Sequence, residues 1–570
     1  MDYRPLPVGV DNFEKLMTNG YYFVDKSLLI KDLLDKKGDV SLFTRPRRFG
    51  KTLNLSMLQY FFEDAGSQSE ARREQEELFQ NLKIMQAGEK YLSHMGKYPV
   101  IHLTLKSAKQ PEWRLAFHML RRELAREFRR HDFVLGRDGL TEREKERFLR
   151  LRDESASYEE YLDALRFLSD CLFRVCCRKT VILLDEYDVP LENAFFEGFY
   201  EEMLTFIRSL FESALKTSGS LEFAVITGCL RISRESIFTG MNNLDIISVL
   251  SRSYGEYFGF TEEEIVRICQ DYRLEGKYGT IKEWYDGYVF GNTNVYNPWS
   301  VIQCIREMSE DKNAVPSSYW ANTSSNRIVR TLIETADETA KKEIEALIDG
   351  ESIVKPVHED ITYEEIYKST EYLWNFMFFT GYFRKSREWL DSQDSLFVEM
   401  SIPNREVKSI FRMKVMGWFD EKIKAKDRSR LFKALEGADA ETVEEEISGL
   451  LMETISFYDA YESFYHGFLA GILSGMKGYV VKSNREGGTG RSDLFIRPVT
   501  RRKPACVLEF KIAERFQDME RRAGEALRQI EERQYARELE NDGYQQVIRY
   551  GISFFGKDCA VCVEKSNCSQ

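Results

Sequence analysis

Five short runs, at residues 40–44, 99–105, 180–185, 221–227 and 246–250, are apolar at consecutive positions, most plainly in Val181-Ile182-Leu183-Leu184. A strand with one wet face alternates apolar and polar residues. One that is apolar throughout is buried between helix layers, as in a parallel sheet with crossover helices. Longer helical patterns separate the runs, so an α/β domain with a parallel sheet is expected over residues 1–265. A chain of 570 residues exceeds a single core, and two or three domains are expected.

The first run leads into Thr44-Arg45-Pro46-Arg47-Arg48-Phe49-Gly50-Lys51-Thr52, with a helix expected over 53–62. The Gly-Lys-Thr ending has the chemistry of a phosphate loop. Gly50 lets the backbone approach an anion, Lys51 reaches the β- and γ-phosphates, and the Thr52 hydroxyl can bind Mg²⁺. The N-terminal amides of the helix would point at the same anion. Arg45 stands where the common Gly-x-x-x-x-Gly-Lys-Thr pattern has its first glycine, so the loop alone also reads as a basic surface turn.

The third run favours the nucleotide reading, because it ends in Asp185-Glu186 where a Mg²⁺-binding strand would follow such a loop. Asp185 would hold the metal through water and Glu186 would polarise the attacking water. Thr227 closes the next run at a place from which a polar side chain senses a γ-phosphate. Arg231 and Arg234 follow, as arginine fingers or as ordinary surface residues.

The C-terminal part carries a second acidic pattern. Asp493 lies on one expected strand, and Glu509-Phe510-Lys511 on the next. Carboxylates on adjacent strands can hold a divalent metal for phosphodiester hydrolysis, with the Phe510 carbonyl completing the shell. Lys511 leaves the same strand face as Glu509 and would orient or activate water. Around them, residues 481–512 hold eight Lys/Arg against three acids, although the chain as a whole carries a net charge of −12. Such a global charge argues against a protein that coats nucleic acid, whereas a local basic island still suits phosphate contacts. A helix over 458–476, two strands, a charged helix over 513–539 and a last strand over 546–555 would make residues 451–570 a compact α/β unit. Residues 266–450, rich in aromatic and charged positions, are expected to be helical, without an assigned role.

The ten cysteines are scattered and several lie in apolar stretches, which fits a reducing compartment rather than a disulfide framework. Cys559, Cys562 and Cys568 lack a fourth ligand nearby, so no structural zinc is expected. No apolar run approaches the length of a membrane span, and a cytoplasmic protein without membrane contact is expected.

Several motifs together carry a family resemblance. Tyr22-Phe23-Val24-Asp25-Lys26-Ser27, the Arg45–Thr52 loop, Leu184-Asp185-Glu186-Tyr187-Asp188 and Thr227-Gly228-Cys229-Leu230-Arg231-Ile232-Ser233 come in this order. Trp284-Tyr285-Asp286-Gly287-Tyr288, Tyr296-Asn297-Pro298-Trp299-Ser300 and Ile402-Pro403-Asn404-Arg405-Glu406-Val407 follow. The ordered set resembles the bacterial AAA-ATPase-like proteins, which join an ATPase domain to a C-terminal PD-(D/E)XK nuclease superfamily domain. The resemblance implies a P-loop NTPase domain, a helical middle region and a restriction-endonuclease-like C-terminal α/β domain. In that family the Arg-Pro-Arg-Arg-Phe-Gly-Lys form of the loop is usual. The implied nucleotide set is Arg48, Gly50, Lys51, Thr52, Asp185, Thr227 and Arg231, with ATP and Mg²⁺ as ligands.

For the nuclease, Ser483–Asp493 resembles the superfamily's domain, Glu462 matches an acid of its first helix, and Gln529 resembles its later helical glutamine. His466 shares the helix face of Glu462, as a packing residue or a base. Mg²⁺ or Mn²⁺ would serve Asp493 and Glu509, and DNA is the expected partner. Self-association into a homo-oligomer stays open. Two other readings stand beside an ATPase that regulates a nuclease. One is a nucleotide-dependent switch or scaffold whose C-terminal domain binds nucleic acid or a protein without cutting; the other is a nuclease in which ATP is held only structurally.

Overall fold

The structure, a computed structural model, describes residues 3–64, 69–231, 237–238, 241–320, 337–359, 362–366, 369–413, 427–452, 462–473, 475–487 and 490–567. The chain forms two compact units. The first comprises Met1–Leu332 and Ser352–Ile410, the second Ile333–Glu351 and Phe411–Gln570.

The first unit is built on a five-stranded, wholly parallel sheet of β1 (Val40–Thr44), β2 (Val100–Thr104), β3 (Thr180–Asp185), β4 (Leu221–Gly228) and β5 (Leu244–Ile247), in the order β2-β3-β4-β1-β5. Every residue of β1 and β3 is buried, as strands apolar throughout require. The fifth run differs from expectation. Val40 pairs with Leu244, so β5 starts before residue 246, and it stops at Ile247 because a turn closed by the Ser251 amide on the Ser248 carbonyl follows. Parallel connectivity puts the carboxyl ends of β1, β3 and β4 at one edge of the sheet, where open α/β sheets bind their ligands. Helix α1 (Lys51–Phe62) leaves that edge directly after β1.

Edge strand β2 is covered by helix α2 (Trp113–Arg130). Glu127 accepts the His102 amide at 2.8 Å, and the Val100 carbonyl meets His131 Nε2 at 3.1 Å and also accepts from Arg130. Backbone groups that would otherwise invite a foreign strand are thereby used.

Residues 266–410 of this unit contain helices, among them α3 (Pro298–Glu310), but also strands that the aromatic and charged text does not announce. These are a hairpin of β6 (Tyr288–Phe290) with β7 (Thr293–Val295), and an antiparallel sheet of β8 (Ile353–Pro356), β9 (Arg384–Leu390) and β10 (Leu396–Ser401), ordered β8-β10-β9. Strand β9 is mostly exposed and charged, so it lacks the apolar run that marks a buried strand.

The second unit takes helix α4 (Glu338–Asp349) from the middle of the chain and continues into helix α5 (Glu462–Leu473) and a five-stranded sheet. That sheet runs β11 (Tyr479–Gly487), β12 (Gly490–Pro498), β13 (Ala505–Ile512), β14 (Gln546–Phe555), β15 (Asp558–Asn567) in spatial order, with only β13 and β14 parallel. Strand β14 has the expected bounds, whereas β11 and β15 extend the sheet beyond the three strands expected. The charged helix over 513–539 is two helices, α6 (Met519–Glu532) and α7 (Arg537–Asn541). It starts late because Ala513 still donates to Phe554 along the sheet, and it breaks at Gln534, whose φ is +56°. Helix α6 lies so close to β14 that a Cβ on Gly551 would stand 2.2 Å from the Ala523 carbonyl oxygen and 2.4 Å from the Leu527 nitrogen. Helix α5 contributes Tyr465, stacked on Phe554 at 4.1 Å.

Candidate active sites

The loop after β1 turns through Arg48 at φ +71° and Gly50 at φ +81°, and Gly50 caps α1. Arg45 explains how the loop holds without its first glycine. Its guanidinium is fully buried, Nη1 donating to the carbonyls of Thr44 at 2.9 Å and Ile247 at 2.8 Å, between the rings of Phe258 and Phe290. Burial pushes this arginine down to about 9. Lys51 is curled onto the loop, Nζ donating to the carbonyls of Arg45 at 2.9 Å and Pro46 at 3.0 Å and lying 3.6 Å from Cys229 Sγ.

Three elements converge on Asp185 at the end of β3, which is 2% exposed. The Thr52 hydroxyl from α1 donates to Oδ2 at 2.7 Å, and the Thr227 hydroxyl from β4 donates to Oδ1 at 2.5 Å. A carboxylate beside a hydroxyl is a hard oxygen donor set that suits Mg²⁺. Glu186 follows in a left-handed turn, φ +52°, with its amide 3.5 Å from Thr227 Oγ1.

Asp188, quoted above only within a motif, proves to be structurally central. Its Oδ2 accepts the amides of Cys229 at 2.7 Å and Leu230 at 3.1 Å, while the Tyr187 hydroxyl donates to the Leu230 carbonyl at 2.6 Å. Burial pushes the Asp188 carboxyl up to about 6, against the lowering pull of the Cys229 amide. The segment after Thr227 is thus clamped by the segment after Glu186, and Gly228 leaves room for it, since a Cβ there would meet the Tyr187 ring at 2.5 Å. Arg231 is directed to Glu359, 3.5 Å away, and Arg234 lies outside the described residues.

In the second unit, Glu509 and Lys511 of β13 meet Gln529 of α6. Gln529 Nε2 donates to Glu509 Oε1, and Lys511 Nζ donates to Gln529 Oε1 at 2.7 Å. Glu509 is 5% exposed. The glutamine therefore bridges the acid and the lysine. Strands β12 and β13 pair as Ile496↔Cys506, Phe495↔Val507 and Leu494↔Leu508, and one further step of that register sets position 493 opposite position 509. The backbones of Asp493 and Glu462 lie on β12 and α5; their side chains, with those of Ser483–Glu486, Arg491 and Ser492, lie outside the described residues.

His466 packs edge-on to Phe510, with centroids 6.2 Å apart. Phe510 and Glu509 leave opposite faces of β13, so this histidine lies against the face opposite Glu509. The basic island is partly neutralised. Arg497 pairs with Glu538 at 2.5 Å and Asp542 at 2.7 Å, and Lys503 with Glu436 at 2.8 Å. Among the described residues no group of three or more His, Cys, Asp or Glu is placed to hold a metal, and no helix is long and apolar enough to cross a membrane.

Comparison with known proteins gives two matches to families. Residues 7–238 match the AAA-ATPase-like family, described as predicted AAA-ATPase, and residues 460–564 match the PD-(D/E)XK nuclease superfamily. The chain is also 29% identical over 311 residues to a protein of Azotobacter chroococcum mcd 1 described as "Uncharacterized protein in vnfD 5'region", covering 53% of this chain and 52% of that protein. The chain thus spans about half the length of the curated relative it matches.

Proposed function

The chain carries an AAA-ATPase-like domain and a PD-(D/E)XK nuclease superfamily domain, and from that premise we propose that it is an ATPase whose nucleotide state regulates a Mg²⁺-dependent nuclease acting on DNA. The observation that carries the reading is the pair of acidic centres, Thr52-Asp185-Thr227 in one unit and Glu509-Gln529-Lys511 in the other.

In the first unit Lys51 would leave the loop carbonyls for the β- and γ-phosphates, with Arg48 and the amide of Gly50 beside it. Thr52 and Asp185 would hold Mg²⁺. Glu186 would take the proton of the attacking water, and Thr227, hydrogen-bonded to Asp185 and beside the Glu186 amide, would relay the state of the γ-phosphate to the clamped segment ending at Arg231. In the second unit Asp493 and Glu509 would hold Mg²⁺ or Mn²⁺, and Lys511, fixed by Gln529, would orient the water that attacks phosphorus. Glu462 would serve as a further ligand or hold one in place. A bound divalent ion would supply charge neutralisation and a more acidic water at each centre.

The deciding experiment is cleavage of plasmid and single-stranded DNA with Mg²⁺ or Mn²⁺, with and without ATP, comparing wild type and Asp493→Ala. Cleavage lost in the variant supports the reading. The pairing of Arg497 and Lys503 with acids leaves fewer cations for phosphate and favours one form of the alternative, a nucleotide-dependent switch whose C-terminal domain binds a protein without cutting. Retained nucleotide binding with neither salt-sensitive binding nor cleavage of DNA under either metal would favour that alternative over the nuclease.

A further inference from the structure

Arg48 stands apart from the other basic residues of its neighbourhood. Arg45 is tied to backbone carbonyls, Arg47 pairs with Glu192 at 2.5 Å, Lys51 lies on the loop carbonyls, and Arg231 pairs with Glu359. Among the described residues Arg48 has no carboxylate within ion-pair distance. Its guanidinium instead sits 4.2 Å over the ring of Trp299. Glu186 is near enough to act on it electrostatically, and both residues are held in left-handed backbone, a conformation that side chains other than glycine adopt at a cost and that gathers at working sites.

The platform itself is rigid. Trp299 is in the first turn of α3, where Asn297 Oδ1 accepts its amide at 3.0 Å, and Phe49, next to Arg48, is packed edge-on against Tyr288 and Phe290 at 4.9 and 5.1 Å. The motifs around residues 288 and 299, which carry no chemistry in the ATPase reading, are therefore built against the phosphate loop.

A guanidinium on an aromatic face is held less tightly than one donating charge-assisted hydrogen bonds to phosphate. We propose that Arg48 is the residue that tells a nucleoside triphosphate from a diphosphate, parked on Trp299 in the free protein and drawn to the terminal phosphate beside Glu186. Trp299 keeps the cation from closing onto Glu186 while leaving it within reach of the ligand. The inference rests on the nucleotide-binding reading above.

The test is displacement of a fluorescent ADP analogue from the full chain by ATP and by ADP with Mg²⁺. In Arg48→Gln, ATP affinity is expected to fall about tenfold or more, equivalent to about 1.4 kcal/mol, and ADP affinity to fall by clearly less. Retained ADP binding also reports that the variant is folded. Trp299→Phe is expected to keep the preference for ATP, and Trp299→Leu to narrow it. Equal loss of both nucleotides in Arg48→Gln, or no change in ATP affinity, would overturn the inference and leave the ATPase reading intact. Wild-type protein that binds neither nucleotide would remove both.

Discussion

Arg45 occupies the place of a glycine and does work a glycine cannot, joining the loop to the end of β5 through Ile247. Arg45→Gly would restore the common motif yet strand a buried carbonyl and open a void. We expect lower thermal stability and no gain in nucleotide affinity. Lys51→Ala is expected to abolish nucleotide turnover, and Glu186→Gln to retain ATP binding while slowing hydrolysis ~10²–10⁴-fold, as a binding assay beside a phosphate-release assay would show. At the other centre, Gln529→Ala leaves Glu509 and Lys511 without their bridge, and cleavage is expected to fall ~10–100-fold, the usual cost of losing a group that orients others. Much of this was legible in the residues. The sequence singles out Thr52 by the Gly-Lys-Thr ending, Asp185 and Thr227 by their places at the ends of apolar runs, and Gln529 through its resemblance, and the structure brings the first three together. Asp188 did not, because its partners, the amides of Cys229 and Leu230, come near only once β3 and β4 lie side by side.

Elements were legible in proportion to their burial. Strands β1 and β3, buried at every position, and β14, buried at most, have the bounds their apolar runs suggest. Strands β11 and β15 form the edges of their sheet, and β9 is exposed; such strands carry polar residues and do not stand out as apolar runs. The break between α6 and α7 depends on one left-handed residue, Gln534, which no periodicity reveals.

Gly551→Ala would drive a methyl group into the backbone of α6, so a loss of about 1–3 kcal/mol or more in the second unit is expected. Cleavage should fall with it, because α6 carries Gln529; chemical denaturation and a nuclease assay read the two effects. The N-terminal end of α3 holds a buried acid. Glu406, 0% exposed, accepts the Ser300 hydroxyl at 3.0 and 2.9 Å and the Trp320 amide at 2.9 Å. Burial pushes its carboxyl from an ordinary 4.5 up to about 7, against those hydrogen bonds. Between those values the folded chain keeps a proton that the unfolded chain releases, so this group's contribution to stability is full below about 4.5 and is lost as pH rises through about 7. Glu406→Gln is expected to flatten that part of the pH dependence in thermal melts; an unchanged slope would contradict the assignment.

At the scale of the whole molecule, the two centres lie in different units and are expected to fail separately. Lys511→Ala should stop cleavage and leave ATP turnover intact. Lys51→Ala should stop turnover and remove the response of cleavage to ATP. The division into units was less legible than either centre, because residues 333–351 belong with the C-terminal sheet although the chain on both sides of them belongs to the first unit. This threading orders events on the ribosome. Helix α4, with Ile344, Leu347 and Ile348 buried in the finished protein, emerges well before β11–β15 exist to complete its unit. Gln529, β14 and β15 follow Lys511 out of the exit tunnel, so a nascent chain cannot assemble the Glu509-Gln529-Lys511 cluster when Lys511 itself emerges. A cell making this protein would thus meet the unit that holds Asp185 before the one that holds Glu509.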